Sequence, residues 1–214
     1  MTETMVQFTE AVISAFKMNN QDVAQHVTIY DIKPVLTPEQ VRELKAATLE
    51  RPFHFKMFRT LVETGITVDE IVNLKYGNID VAKNLISVAA SSAWEPRSRY
   101  AVRQLPVDST LIDLLLSNPG QRDAYIFSVR GGKPYRKESV IYSIHQYSRK
   151  CASIHGEMGT REIRRTYAYN EILKGISLRV LTERLGYKDM TITLRFMFNV
   201  NVGSVAKIVN ATVA

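Results

Sequence analysis

Cysteine, proline and long apolar runs are scarce in this chain of 214 residues. A single cysteine, Cys151, excludes an internal disulfide, and the four histidines show no metal-ligand spacing, so the sequence predicts no metal and no cofactor. No apolar run approaches the ~20 residues that cross a bilayer, and the acidic start of the N-terminus argues against a secretory signal. We therefore expect a cytoplasmic protein with no membrane partner and no small-molecule substrate.

Acidic residues are fewer than basic ones, and the difference lies in the later part of the chain. The chain has 28 Lys and Arg against 21 Asp and Glu, a net charge of +7. Residues 1–90 hold 9 basic and 11 acidic side chains, whereas residues 91–214 hold 19 and 10. A surface that faces phosphates would produce this asymmetry, because each lysine or arginine placed on a phosphate releases counterions. A basic face that only meets solvent is the alternative interpretation.

The hydrophobic periodicity predicts a mostly helical α+β domain with a small antiparallel sheet. Thr37, Pro38 and Gln40 form the start signal of one helix, with an N-cap, a proline at the first position and a capping-box glutamine. Further helices are predicted over residues 4–18, 53–64, 68–74, 109–117, 137–151, 161–174 and 178–185, with a last turn or two beyond. The period changes to two in "NLISVAA" and "YAVRQLPV", which predicts two antiparallel strands joined by the long basic turn "SSAWEPRSR".

These patterns divide the chain into three parts. Residues 1–35 form an N-terminal helix followed by a linker or a short extended piece, residues 36–198 form the main domain, and residues 199–214 form a tail. In that tail the apolar spacing of Val202 and Val205 continues to Ile208 and Val209 and is typical of a helix. Such a helix would pack either on its own domain or on a neighbouring subunit.

Six segments follow one another in a distinctive order between Leu36 and Phe198. They are "LTPEQVRELKAA", "TGITVDEIVNLKYGNID", "RQLPV", "YIFSVRGGKPYRKESV", "GTREIRRTYAY" and "LGYKDMTITLRF". Together they resemble the catalytic domain of the tyrosine recombinases, the phage integrase family. The resemblance implies a mostly helical catalytic-type fold with a small antiparallel sheet or hairpin, and double-stranded DNA as the partner.

The resemblance also implies a chemistry and a site for it. Members of the family attack a DNA phosphodiester with a tyrosine oxygen, while two arginines and a histidine or tryptophan stabilise the developing charge and a hairpin lysine acts as general acid. In this chain Thr67 stands at the first arginine, Ser98 at the lysine and Phe196 at the nucleophile. Arg164 matches the second arginine. The other departures are Arg161 and Arg165, each where histidine is frequent, and Tyr187 at the late histidine or tryptophan.

Phe196 has no oxygen to esterify, so the resemblance implies that strand cleavage has been lost. The joint departure at Thr67, Ser98 and Phe196 favours this interpretation, and we expect no enzymatic activity. Two alternatives remain. Phe196 is an ordinary core aromatic with the register shifted by one turn, or a displaced tyrosine acts as the nucleophile. The candidates for a displaced nucleophile are Tyr187, Tyr167 and Tyr169.

Basic residues in two of these segments and in the turn "SSAWEPRSR" are candidates for phosphate contacts, through their charge and through a helix N-terminus. They are Arg97, Arg99, Lys133, Arg136, Lys137, Arg161, Arg164 and Arg165. Ion pairing with Glu157 or Glu162, a solvated helix start and a mobile hairpin loop are the alternatives. Base readout would fall to the helix residues Ser139, Tyr142, Ser143 and Gln146.

The favoured hypothesis is therefore a noncatalytic, sequence-specific DNA-binding protein associated with the nucleoid or a plasmid. It would act as a transcriptional regulator, or as a partition or replication-site binder of a plasmid or other mobile element. Members of the family carry a separate helical domain before the catalytic one, and only residues 1–35 stand before this one, so we expect a homodimer or higher oligomer on DNA. A divergent recombinase with a displaced tyrosine and a protein-interaction module are the competing hypotheses.

Overall fold

The computed structural model describes residues 3–156 and 158–202. Its helices are α1 Glu3–Asn19, α2 Gln21–Ala24, α3 Pro38–Thr48, α4 Pro52–Thr64, α5 Val68–Val72, α6 Ser109–Leu115, α7 Lys137–Ser148, α8 Thr160–Leu173, α9 Leu178–Leu185 and α10 Met190–Met197. Its strands are β1 Val27–Ile32, β2 Ile79–Asp80, β3 Leu85–Val88, β4 Arg103–Pro106 and β5 Phe198–Val202. The mostly helical α+β class is confirmed.

Local capping signals explain where several of these helices begin and end. Thr37 accepts a hydrogen bond from the Gln40 N–H, and Gln40 Oε1 accepts one from the Thr37 N–H, as the sequence predicts for α3. Gly65 ends α4 in the left-handed region with φ of 60°. A Cβ there would lie 2.3 Å from the Tyr167 ring, so the position requires glycine for space as well as for backbone angle.

The strands form two antiparallel sheets. β3 lies between β2 and β4, with Ile86 opposite Ile79 on one side and Leu105 on the other, which confirms the predicted hairpin and adds a short third strand. In the second sheet β1 pairs with β5, so that Ile32 lies opposite Phe198. Of the two alternatives for the segment before residue 36, β1 agrees with the short extended piece and not with a linker. The helical interpretation of the tail was wrong for residues 199–202, which belong to β5. Val205, Ile208 and Val209 lie outside the described residues.

Two buried clusters fill the interior. The first includes Phe58 from α4 and Ile86 from β3. The second includes Phe16, Tyr169 and Phe198, whose rings meet at centroid distances of 5.2 Å (Phe16–Phe198) and 5.7 Å (Tyr169–Phe198). α1 therefore packs on α8 and, through Phe16 and Phe198, on β5 of its own chain. Over residues 3–156 and 158–202, no helix combines the length and apolar character needed to cross a membrane.

Candidate functional site

A pocket of about 890 Å³ opens where five segments of the main domain meet. These are the turn between α4 and α5, the loop between β3 and β4, the first turns of α7 and α8, and the stretch from the end of α9 to α10. The six positions at which the resemblance places catalytic groups all line it: Thr67, Ser98, Arg161, Arg164, Tyr187 and Phe196. The fold thus assembles positions that span 130 residues of sequence into one site.

Basic side chains outnumber acidic ones around this pocket, which we call the cationic pocket. Its basic lining residues are Lys33, Arg97, Lys137, Arg161, Arg164, Arg165 and Arg195, against Asp69, Glu70 and Glu138. Burial, followed by the positive charges of Arg165 and Arg161, lowers the pKa of Lys33. The part of this shift that comes from Arg165 and Arg161 reflects repulsion between neighbouring positive charges, which a bound anion would reduce.

Thr67 is held as the N-cap of α5. Its Oγ1 accepts a hydrogen bond from the Glu70 N–H at 3.3 Å, and Glu70 Oε2 accepts one from the Thr67 N–H at 2.8 Å. The position that the resemblance gives to the first arginine is therefore used for helix capping. A threonine hydroxyl with this geometry stabilises the helix but carries no charge toward the pocket.

Replacing Thr67 by alanine should lower the free energy of unfolding by about 1 kcal/mol, because the first turn of α5 loses its side-chain acceptor. Thr67→Ser keeps the hydroxyl and should stay within a few tenths of a kcal/mol of the wild type. Urea denaturation of the two variants measures the difference. Equal stability of the alanine and serine variants would show that the cap contributes nothing.

Two of the predicted phosphate ligands, Arg164 and Arg165, are mostly buried, with 8% and 7% of their surface exposed. Arg164 donates to the carbonyls of Gly65 and Leu185, and its guanidinium lies 5.3 Å from the centre of the Tyr187 ring. These bonds tie the end of α4 to the end of α9. Arg164 therefore has a structural role at the pocket floor and is not a freely projecting cation.

Arg165 is held in a similar way by main-chain and side-chain acceptors. It donates to the Phe196 carbonyl at 3.0 Å, to the Pro34 carbonyl at 3.2 Å and to Glu162 at 3.2 Å. The alternative of ion pairing with Glu162 thus applies to Arg165, while Glu157 lies outside the described residues. Arg161, one turn earlier, is exposed at the pocket rim.

The Phe196 ring is half-buried between the pocket and the second core cluster. It lies 5.6 Å from the Tyr187 ring and 5.5 Å from the Arg165 guanidinium, both measured to ring centres. Its segment is also fixed through the backbone: Lys33 Nζ donates to the Arg195 carbonyl, and the Lys33 N–H donates to the Met197 carbonyl at 2.8 Å. An aromatic ring is thus held in the pocket wall without an oxygen.

The three candidate displaced nucleophiles differ in access. Tyr167 and Tyr169 are buried, and burial raises the pKa of Tyr167 to about 12 and that of Tyr169 still further. The Tyr169 hydroxyl donates to the Met197 carbonyl. Both are packing residues. Among the described residues Tyr187 is the tyrosine that lines the pocket, so the alternative of a displaced nucleophile reduces to this one side chain.

The remaining predicted cations are spread around the pocket. Arg97 and Lys137 line it and pair with Asp69. Arg99 lies over the Tyr100 ring at 4.9 Å, outside the lining, and Lys133 and Arg136 are exposed on the approach to α7.

The candidates for base readout on α7 differ in exposure. Ser143 is 6% exposed, so its prediction as a base-reading residue was wrong; Tyr142 is 65% exposed, and Ser139 and Gln146 are half-buried.

Sequence reasoning missed Lys33, Arg195 and Asp69. Lys33 follows β1, and its place in the pocket depends on the pairing of β1 with β5, which joins distant parts of the chain. Arg195 lies next to Phe196 inside the segment "LGYKDMTITLRF", and its charge could have been counted with the other candidate phosphate ligands. Asp69, two residues after Thr67, carries no signal of its own, because an acidic residue in the first turn of a helix is ordinary.

The chain is similar to known recombinases in sequence. The model of the phage integrase family matches residues 34–200. A tyrosine recombinase XerC from Roseiflexus castenholzii (strain DSM 13941 / HLO8) is 23% identical over 179 residues, which cover 76% of this chain and 54% of that protein. The chain spans about half the length of the curated relatives it matches.

Solved structures of recombinases share the fold of this chain. The crystal structure of XerA recombinase superposes with a TM-score of 0.65 and 17% identity over 85% of this chain and 65% of that one. The Tn1549 transposon integrase in complex with transposon right end DNA gives 0.62 and 18% over 83% and 64%.

Proposed function

This chain belongs to the phage integrase family, and from that premise we propose that it is a noncatalytic, sequence-specific double-stranded DNA-binding protein. Residues 36–198 form the DNA-binding body in this proposal. Residues 1–35 support that body by completing the second core cluster and the β1–β5 sheet.

One observation carries the proposal: the cationic pocket keeps its positive lining while the positions needed for cleavage hold other chemistry. Thr67 caps a helix, Ser98 caps the short 3₁₀ turn that follows it, and Phe196 has no nucleophilic atom. Six of the eight predicted phosphate ligands, all except Arg164 and Arg165, are exposed. Such a surface can bind DNA phosphates, but at Thr67, Ser98 and Phe196 it has no group that could cleave a phosphodiester bond.

Relatives support DNA as the partner. The Tn1549 integrase structure with a similar fold contains transposon right end DNA, and the matched relatives are recombinases. We propose that this chain binds duplex DNA as a homodimer or higher oligomer. Its role would be transcriptional regulation, or partition or replication of a plasmid or other mobile element, in association with the nucleoid or plasmid.

A second candidate function is cleavage by a displaced nucleophile. Tyr187 favours it, because its ring lines the pocket 5.3 Å from the Arg164 guanidinium. Against it, Thr67 and Ser98 would still lack the cationic donor and the general acid of the family.

The salt dependence of duplex binding tests the proposal. If the six exposed cations each contact a phosphate, the logarithm of the association constant should fall against the logarithm of the salt concentration with a slope of about −5. Fluorescence anisotropy at several salt concentrations, with labelled fragments of the host's genomic DNA, measures this slope. If no fragment binds detectably, or if the affinity does not change with salt, the proposal is contradicted and a protein-interaction module is favoured.

A further inference from the structure

Asp69 lines the cationic pocket and forms ion pairs with two of its exposed cations. Its Oδ2 is 2.8 Å from Arg97 Nη2, and its Oδ1 pairs with Lys137 Nζ. The Asp69 side chain is only 17% exposed, whereas Arg97 is 87% and Lys137 47% exposed. The Asp69 carboxylate is thus the least exposed of the three groups. Arg97 reaches it from the loop between β3 and β4, and Lys137 reaches it from the start of α7.

The arrangement places one anion between two cations. A carboxylate presents two oxygens, and a phosphodiester presents two nonbridging oxygens, so the same pair of cations suits either group. Glu70, the neighbouring acid, is already bound by Arg103 at 2.8 Å. Asp69 therefore pairs with both Arg97 and Lys137, two of the ligands that the proposed function assigns to phosphate, and offsets one of their two positive charges.

The loop that carries Arg97 is anchored on both sides of that residue: before it at Trp94, and after it at Ser98, whose hydroxyl accepts a hydrogen bond from the Tyr100 N–H at 3.2 Å. Trp94 packs against the first core cluster and pairs through its backbone with Ser91, at N–O distances of 2.8 and 3.2 Å. Arg97 lies three residues further along, and Asp69 holds its guanidinium against the pocket. Release of this ion pair would free Arg97 without disturbing the anchor at Trp94.

We infer that Asp69 occupies a phosphate site in the free protein and is exchanged for a DNA phosphate on binding. This inference rests on the proposed function and adds a residue that lowers the affinity of the same site. Each encounter with duplex DNA must displace the carboxylate from Arg97 and Lys137. The cost is the same for every duplex, so Asp69 weakens binding to all sequences equally and leaves the choice among them to other contacts.

Asp69→Asn tests the inference, with Asp80→Asn as the matched control. Asp80 pairs with Lys83 on the β2–β3 turn and does not line the pocket, so its variant removes the same charge elsewhere. Because two partly exposed ion pairs no longer compete, Asp69→Asn should bind a random-sequence duplex about ten-fold more tightly than the wild type. Asp80→Asn should stay within about two-fold. The gain should largely disappear when Arg97 and Lys137 are also alanine.

A second measurement needs no DNA. Amide hydrogen exchange at Tyr100, Ala101 and Val102, whose N–H groups are hydrogen-bonded just after Arg97, should be faster in Asp69→Asn than in the wild type and unchanged in Asp80→Asn. Exchange at Ser91 and Trp94 should be the same in all three proteins. Unchanged exchange in Asp69→Asn, or a gain in affinity that persists without Arg97 and Lys137, would overturn the inference. Tight, salt-dependent binding by the wild type with no gain in Asp69→Asn would overturn this inference alone, whereas no duplex binding by any variant would overturn the proposed function as well.

Discussion

Replacing Glu70 by glutamine is expected to lower the free energy of unfolding by about 3–5 kcal/mol, because it leaves the Arg103 guanidinium buried without a counter-charge. The side chains of Arg103 and Glu70 are 6% and 7% exposed and meet through two hydrogen bonds of 2.8 and 2.9 Å. Arg103 also donates to the carbonyls of Arg184 and Ala101. This ion pair therefore connects α5, β4 and α9 behind the pocket.

Glu63→Gln is the matched control. Glu63 pairs with Arg59 along one face of α4, where the two side chains are 30% and 14% exposed, so the loss should be below about 1 kcal/mol. Urea denaturation at pH 7 measures both variants. A Glu70→Gln protein as stable as Glu63→Gln would contradict the role given to the buried pair.

The contribution of Glu70 should also depend on pH. Burial alone raises the pKa of this carboxyl, but the hydrogen bonds and charge of Arg103, together with Arg164 and the Thr67 N–H, outweigh it and hold the pKa below its ordinary value of 4.5. A depressed folded-state pKa stabilises the protein fully above the ordinary value, and this stabilisation is lost as the pH falls through the folded value. The stability gap between wild type and Glu70→Gln should therefore narrow below pH 4.5.

The second large effect concerns DNA. Alanine at Arg97, Lys137 and Arg161 together should weaken duplex binding several hundred-fold at about 0.1 M salt, because each lost phosphate contact forfeits nearly a factor of ten in counterion release. The slope of the logarithm of the association constant against the logarithm of the salt concentration should become less negative by about 3. All three side chains are exposed at the pocket, so the fold should tolerate their loss.

Three exposed cations outside the pocket provide the control. Lys83, Lys174 and Arg179 have side-chain exposures of 71%, 69% and 65%, and their replacement by alanine removes the same total charge. This control variant should lose less than about ten-fold, since it keeps the pocket contacts. Equal losses in the two triple variants would mean that only net charge matters and that the pocket is not the DNA site.

Local signals predicted much of this architecture from the sequence. The capping pair of Thr37 and Gln40 determines the start of α3, and the two-residue period around Ile86 and Leu105 determines a strand pair whose members are close in sequence. The β1–β5 sheet could not be predicted in this way. Its strands are separated by most of the chain, and the apolar residues that follow Phe198 fit a helix as well as a strand.

The sequence predicted which positions meet at the candidate site, but it did not predict which of their side chains are buried and hydrogen-bonded. Motif spacing brought Thr67, Ser98 and Phe196 to one pocket because the family fold determines where those segments meet. Burial of Arg164 and Arg165 was not predictable, since the acceptors are main-chain carbonyls contributed by other segments, such as those of Gly65 and Phe196. The sequence shows that an arginine is charged, but it does not show which acceptor its guanidinium donates to.

A covalent-adduct assay tests the central claim most directly. The protein is incubated with a nicked duplex that carries a sequence it selects from genomic DNA, and the products are denatured and separated by size, beside a Tyr187→Phe variant and an active recombinase on its own nicked site. We predict binding without any denaturant-resistant protein–DNA adduct, for both the wild type and Tyr187→Phe. An adduct that forms with the wild type and is lost in Tyr187→Phe would contradict the account and identify the protein as an active recombinase with a displaced nucleophile.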